Sequence, residues 1–187
     1  MNHGFKLDYS FFADKSVLEV GCGPTGIIFE LNQSRTRVGL EPMDLHDLVN
    51  EEERKSIVKG GIGEEIPYPD NYFDVVLSFN ALDHSVDPTK VIREIHRVLR
   101  KGGDFLLWIY VLRDQYKILQ SLLDRLDPPH PFHFTMAQLM IRIPGTLFDV
   151  KYRKVDKGTG LPNSTMKKII ANGMMNTLWL WSVKKPH

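Results

Sequence analysis

Residues 19–26 read EVGCGPTG, and the last six letters, GCGPTG, keep the spacing G-x-G-x-x-G. The stretch leaves a short apolar run, SVLEVG at 16–21, and enters Thr25 to Leu31, where apolar residues fall at helical spacing. This predicts a first strand turning into a first helix, with Gly21, Gly23 and Gly26 at the turn. Without side chains the backbone there can run against a ligand, and the free N–H groups of a helix start can receive a polar or anionic group. A dinucleotide site and a plain tight turn both satisfy the spacing, so the loop alone does not choose between them.

Outward from this loop the chain alternates between two kinds of segment. TRVGLE (36–41), DVVLSF (74–79) and DFLLWIYV (104–111) are short apolar runs of the kind expected of parallel strands covered on both faces. Between them the clearest helix is 88–99, with Val91, Ile92, Ile95, Val98 and Leu99 on one face. Asp87 is placed to cap it, Pro88 suits its first turn, and Gly102 can take the left-handed conformation that closes a helix. Repeated strand–helix–strand units mean an α/β domain with right-handed crossovers.

Past residue 111 the pattern changes. Ile118, Leu119, Leu122, Leu123 and Leu126 form a second amphipathic stripe, stopped by Pro128 and Pro129, and read as core or interface. Thr135 and Gln138 make a capping box, with Phe134 placed to staple Leu139. TLFDVKYRKV (146–155) alternates, with Phe148, Val150 and Tyr152 on one face, and NTLWLWSV (176–183) is a last apolar strand; the two are expected to pair at a sheet edge. The loop between them includes DKGTGLPNS at 156–164.

With 187 residues the chain reads as one domain, 1–187, with a short N-terminal region and a helical insertion around 113–143. Its 24 basic and 23 acidic side chains leave a formal charge of +1, which argues against nucleic acid as partner and for a small molecule. The single cysteine, Cys22, excludes an internal disulfide, and with no leader at the start a cytoplasmic setting is expected. The longest apolar run, FLLWIYVL at 105–112, is too short for a helical membrane span. The histidines show no metal-ligand spacing, so no metal is expected.

Three features then discriminate between ligands for the loop. Glu19 is a carboxylate at the end of a strand that otherwise reads as core; it needs backbone N–H groups or a cation beside it, and it would repel a pyrophosphate. Pro24 removes one N–H donor from the loop and weakens it as an anion cradle. Glu41 ends the second strand, where an acidic side chain can accept from both hydroxyls of a ribose, a feature that NAD would share. Together they suggest a nucleoside with an amino-acid-like tail.

In its ordered blocks VLEVGCGPTG, VGLEP, EEIPYPDNYFDVVLSFNALDH and VIREIHRVLRKGGDFLL, spanning 16–111, the chain resembles the class I S-adenosylmethionine-dependent methyltransferases, in particular the small-molecule group related to ubiquinone and menaquinone biosynthesis enzymes. The resemblance implies a Rossmann-like doubly wound sheet of seven strands, order 3-2-1-4-5-7-6, the last antiparallel, with helices on both faces. The cofactor would lie at the carboxyl ends of strands 1, 2 and 4. Glu19, Gly21, Gly23 and Gly26 would line its methionine part, with Cys22 presenting backbone, and Glu41 would hold the ribose. Pro42 and Met43 would pack by the adenine, and Asn80 and Ala81 would pass along the methionine chain. In GGIGEEIPYP the acid usual in the family is replaced by Ile62, which leaves adenine to backbone groups around Gly61, Ile62 and Gly63.

The implied reaction is transfer of a methyl group to oxygen, nitrogen or carbon of a small acceptor, leaving S-adenosylhomocysteine. The alternative is a non-catalytic cofactor-binding protein or subunit. His84 falls where relatives often carry histidine, although Asp83 precedes it where Glu is usual, and His133 lies in the histidine-aromatic stretch PPHPFHFT with His130; His84 and His133 are the catalytic candidates. Relatives carry helices before strand 1 that close over the acceptor, whereas only 15 residues precede it here, so the acceptor pocket is expected to be open or completed by a second copy or a partner subunit.

Overall fold

The computed structural model describes Phe5 and residues 7–45, 52–126, 131–157 and 174–186. The strands are β1 (Ser16–Val20), β2 (Thr36–Glu41), β3 (Val58–Gly60), β4 (Phe73–Phe79), β5 (Leu99–Leu112), β6 (Phe148–Lys157) and β7 (Met175–Lys184). They form one sheet in the order β3-β2-β1-β4-β5-β7-β6. All neighbours pair in parallel except that β7 runs antiparallel to both β5 and β6. The α-helices are α1 (Glu52–Ile57), α2 (Pro88–Val98), α3 (Gln120–Leu126) and α4 (Met136–Arg142). This is the expected strand order and direction, reached by the physics of covered parallel strands: all five residues of β1 are buried, including Glu19.

Period-2 alternation divides the sheet's side chains between two cores. One face carries Leu18, Val76, Phe105, Leu107 and Ile109 against Val91, Ile92, Ile95 and Val98 of α2 and Leu139 of α4. The other carries Val17, Val75, Leu77 and Leu106 against Phe5, Phe12, Ile28 and Ile57. Asp87 caps α2 as read, accepting from the N–H groups of Thr89 and Lys90 at 2.9 and 3.0 Å. The capping box of Thr135 and Gln138 is formed at α4, with Phe134 and Leu139 in one core.

Several local expectations are corrected. Thr25–Leu31 is not an α-helix but a single 3-10 turn, Ile27–Glu30. The Phe29 carbonyl, which a helix would need, is taken by the Arg37 guanidinium at 2.9 Å, and the chain turns at Asn32. Gly102 is left-handed, φ 74°, but α2 has already ended, with the Leu99 N–H on the Ile95 carbonyl. The glycine serves instead the excursion of residues 100–103 out of the β4–β5 ladder, which passes from Phe73↔Leu99 directly to Val75↔Asp104.

A bulge between Val150 and Tyr152 breaks the alternation read in β6. Val150 pairs with Ser182, whereas Tyr152 pairs with Trp181 and joins the opposite face. The stripe at 118–126 is not core, for Ile118, Leu119, Leu122 and Leu126 are exposed and only Leu123 is buried. His96 is half-buried with its ring 5.4 Å from that of Phe148. His3, His46, His130, His187 and most of the 156–164 loop lie outside the described residues.

Candidate active site

The glycine loop leaves β1 at the carboxyl end of the sheet, between β2 and β4, and is tied to both neighbours. Gly21 is left-handed, φ 70°, with its N–H on the Leu40 carbonyl at 2.8 Å. A Cβ there would lie 2.3 Å from the Ala81 Cβ, so the loop touches the backbone that follows β4, and only glycine allows both the turn and the approach. Gly23 is left-handed too, φ 53°. Gly26 packs on the Cys22 carbonyl and on Glu19, where a Cβ would come within 2.5 and 2.8 Å.

Two carboxylates hold this turn. Glu19, 2% exposed, points an oxygen at the Ile28 N–H, 2.8 Å away. Burial pushes its pKa up from 4.5 to about 7, against the downward pull of the Ile28 and Ile27 N–H groups. Glu41, 5% exposed, accepts from the Gly23 N–H at 2.9 Å and, through its other oxygen, from the Met43 N–H at 3.2 Å. The partner that Glu19 demands is therefore backbone in this structure, and Glu41 already grips the loop whose ligand it was expected to share.

Cys22 turns its side chain inward, so that a Cβ on Gly39 would sit 2.6 Å from its sulfur. Burial, then the charges of Glu19 and Glu41, push that thiol up to about 12, so it is no nucleophile at neutral pH.

The rim is built by β2, β3 and β4. Pro42 and Met43 are exposed just after β2, and Ile62 is exposed just after β3, two strands joined at Glu41↔Gly60. Gly61 donates to the Glu41 carbonyl at 3.2 Å and packs so closely on Leu40 that a Cβ would come within 2.7 Å of it. Gly63 packs between Val20 and Val91, 3.0 Å from either by the same measure. After β4, Asn80 is left-handed, φ 51°, donates to the Trp108 carbonyl at 2.7 Å, and keeps its Oδ1 buried without a hydrogen-bond partner.

The structure thus brings Glu19, Gly21, Gly23, Gly26, Glu41 and Ala81 into contact around one turn, with the other cofactor candidates on its rim. The catalytic candidates stand apart on two different loops. His84 is exposed, in the 3-10 turn Leu82–His84 after β4. His133 is buried, with Nδ1 and its own backbone N–H 2.8 and 2.9 Å from the same oxygen of Asp124 on α3. The Leu112–Thr135 bridge sets that loop beside the end of β5.

Sequence reasoning missed Asp124, which has no motif around it, and Glu64, whose buried carboxylate accepts from Val86 and Asp87 at 2.7 and 3.0 Å and fixes the His84 turn to the loop after β3. Glu64 could have been sought, since a charge in a stretch that joins two core strands asks for a partner. Among the described residues no cluster of ligands fits a metal ion, and no helix is long and apolar enough to cross a membrane.

Residues 18–107 match the family described as Methyltransferase domain. The strand order above is the one that this resemblance implied. Over these residues the chain is similar to methyltransferases. Its relatives include the sarcosine/dimethylglycine N-methyltransferase of Halorhodospira halochloris, 30% identical over 60% of this chain and 44% of that enzyme. They also include the ubiquinone biosynthesis O-methyltransferase of Pseudomonas syringae, 37% identical over 49% of this chain and 42% of that enzyme. The chain spans less than half the length of those two curated relatives. In fold it is similar to the YcgJ protein of Bacillus subtilis, with a TM-score of 0.72 and 16% identity over 95% of this chain and 96% of that one.

Proposed function

We propose that the protein transfers the methyl group of S-adenosylmethionine to oxygen, nitrogen or carbon of a small-molecule acceptor. The observation that carries this reading is the pair of buried carboxylates, Glu19 and Glu41, on one glycine turn at the carboxyl ends of β1 and β2. Two such charges disfavour a diphosphate and favour a cationic ligand with hydroxyl donors. The residues present suit the cofactor of the family. Glu41 offers oxygens to ribose hydroxyls, exchanging or sharing its bond to the Gly23 N–H. Gly21, Gly23, Gly26 and Ala81 give a bare backbone surface for the methionine part beside Glu19 and Cys22, and the unpaired Oδ1 of Asn80 is an acceptor for its polar end. Pro42, Met43 and Ile62, exposed just after β2 and β3, offer apolar surface to adenine, with backbone groups of Gly61 and Gly63 for its polar edge.

When bound, the cofactor supplies a methyl group on a sulfonium, ready for in-line displacement. The chain's own task is to bind and orient, and holding two reactants in line is the dominant catalytic term for such a transfer. His84, exposed on the turn after β4, is the group we assign to take a proton from a hydroxyl or ammonium acceptor. His133, on the loop before α4, is held by Asp124 of α3. The exposed Ile118, Leu122 and Leu126 support completion of the acceptor side by a second copy or a partner subunit.

The test is transfer of label. Protein incubated with methyl-labelled S-adenosylmethionine and a metabolite extract is expected to yield a labelled small molecule, and no label in any product across broad extracts would overturn the proposal.

A further inference from the structure

An open cleft of about 850 Å³ lies between the segment that follows β3 and one side of α2, a volume that suits a small ligand. It shares Gly61 and Ile62 with the rim assigned to adenine and then runs away from the glycine turn, along Pro67, Tyr68 and Pro69. Lys90, Glu94 and Arg97, spaced to fall on one side of α2, form its other wall. Two of these three are spent on the fold. Arg97 donates to Glu94 at 2.7 Å, to Asp70 at 2.9 Å and to the Ile66 and Tyr68 carbonyls at 2.8 Å. Glu94 meets Arg97 through both oxygens and also takes the Ile66 N–H at 2.9 Å.

Two groups of the lining keep unspent capacity. Glu64, 8% exposed, takes the N–H groups of Val86 and Asp87 on one oxygen, at 2.7 and 3.0 Å; its other oxygen has no hydrogen-bond partner among the described residues. A buried oxygen left unfilled is costly, and a carboxylate can accept at both. Lys90 is exposed one turn beyond Asp87, so it stands at the mouth of the cleft near the same end of α2. Its charge is felt at Glu94, but its ammonium makes no hydrogen bond or ion pair among the described residues.

We propose that this cleft is a second small-molecule site, for a free amino acid with an apolar side chain: the ammonium meets the unfilled oxygen of Glu64 inside, the carboxylate meets Lys90 at the mouth, and the side chain lies along Pro67, Tyr68 and Pro69. The site is independent of the methyltransferase reading. One unspent acceptor and one unspent donor near the same helix end call for a ligand that carries both charges. A plain amine leaves Lys90 unused, and a plain acid leaves the Glu64 oxygen unfilled.

The experiment is ligand-observed NMR titration of the whole chain with phenylalanine, phenethylamine and hydrocinnamate, which share a ring and differ in their charged groups. Phenylalanine should bind saturably, hydrocinnamate about tenfold more weakly for lack of the ammonium, and phenethylamine a few-fold more weakly, since Lys90 is exposed. Lys90→Met, at an exposed position, should remove the advantage of phenylalanine over phenethylamine without weakening phenethylamine itself, and Glu64→Gln should weaken both. Saturating S-adenosylhomocysteine should displace none of them. Should Glu64→Gln fail to fold, the three ligands and Lys90→Met decide. Absence of saturable phenylalanine binding, equal affinity for the three ligands, or an unchanged ratio in Lys90→Met overturns the proposal while leaving the methyltransferase reading intact. Displacement by S-adenosylhomocysteine overturns it too, by returning the cleft to the cofactor.

Discussion

At Gly21 two demands meet that no other residue satisfies, a φ of 70° and an approach to Ala81 that leaves no room for a Cβ. Gly21→Ala is expected to cost on the order of 2 kcal/mol or more, from the left-handed backbone and the collision together, and to weaken S-adenosylhomocysteine binding; denaturant melts and calorimetry on the same samples would show both. Glu19 makes a prediction of opposite sign. Its folded pKa of about 7 exceeds the ordinary 4.5, so its contribution to stability is fully present below 4.5 and is lost as pH rises through 7. Glu19→Gln should therefore unfold at higher denaturant than the wild type at pH 8, by an order of 2–3 kcal/mol, and close to it at pH 5. His84→Gln tests the proton-taking role. With a hydroxyl or ammonium acceptor it should lower kcat roughly 100-fold or more with little change in cofactor affinity, and unchanged kcat would remove His84 from the mechanism.

Elements were legible in the sequence where local chemistry decides them. Asp87, Pro88 and the apolar face through Val98 announce α2, and the structure forms that cap with two hydrogen bonds to one carboxylate oxygen. Asp87→Ala should cost about 1 kcal/mol in thermal or chemical unfolding, and Asp87→Ser much less. Elements were illegible where tertiary contacts overrule spacing. The helix expected after the glycine loop ends as a 3-10 turn because Arg37, on β2, takes a carbonyl it would have used. β3 is three residues, Val58–Gly60, one of them charged and one glycine; pairing with β2 makes it a strand, and nothing in its composition does. The bulge in β6 moves Tyr152 to the other face without any turn residue to mark it.

At the scale of the whole molecule, the sheet order followed from four ordered sequence blocks, and the residues proposed to hold the cofactor, Glu19, Gly21, Glu41 and Asn80, all stand at strand ends of that sheet. The acceptor half did not follow from those blocks. We place it in the loops beyond β5, where His133 is held by an aspartate nine residues earlier that no pattern singles out, and where apolar residues at helical spacing face outward. Loops of this kind set specificity on a common scaffold, so their reading depends on geometry more than on motif. The central claim, that this sheet and its carboxylate-flanked turn hold a sulfonium nucleoside and not a dinucleotide, is open to one direct measurement. Titrated in a calorimeter with S-adenosylmethionine, S-adenosylhomocysteine and NADH, the protein should give saturable binding of the first two and none of the third; binding of NADH with no response to either adenosyl ligand would contradict it.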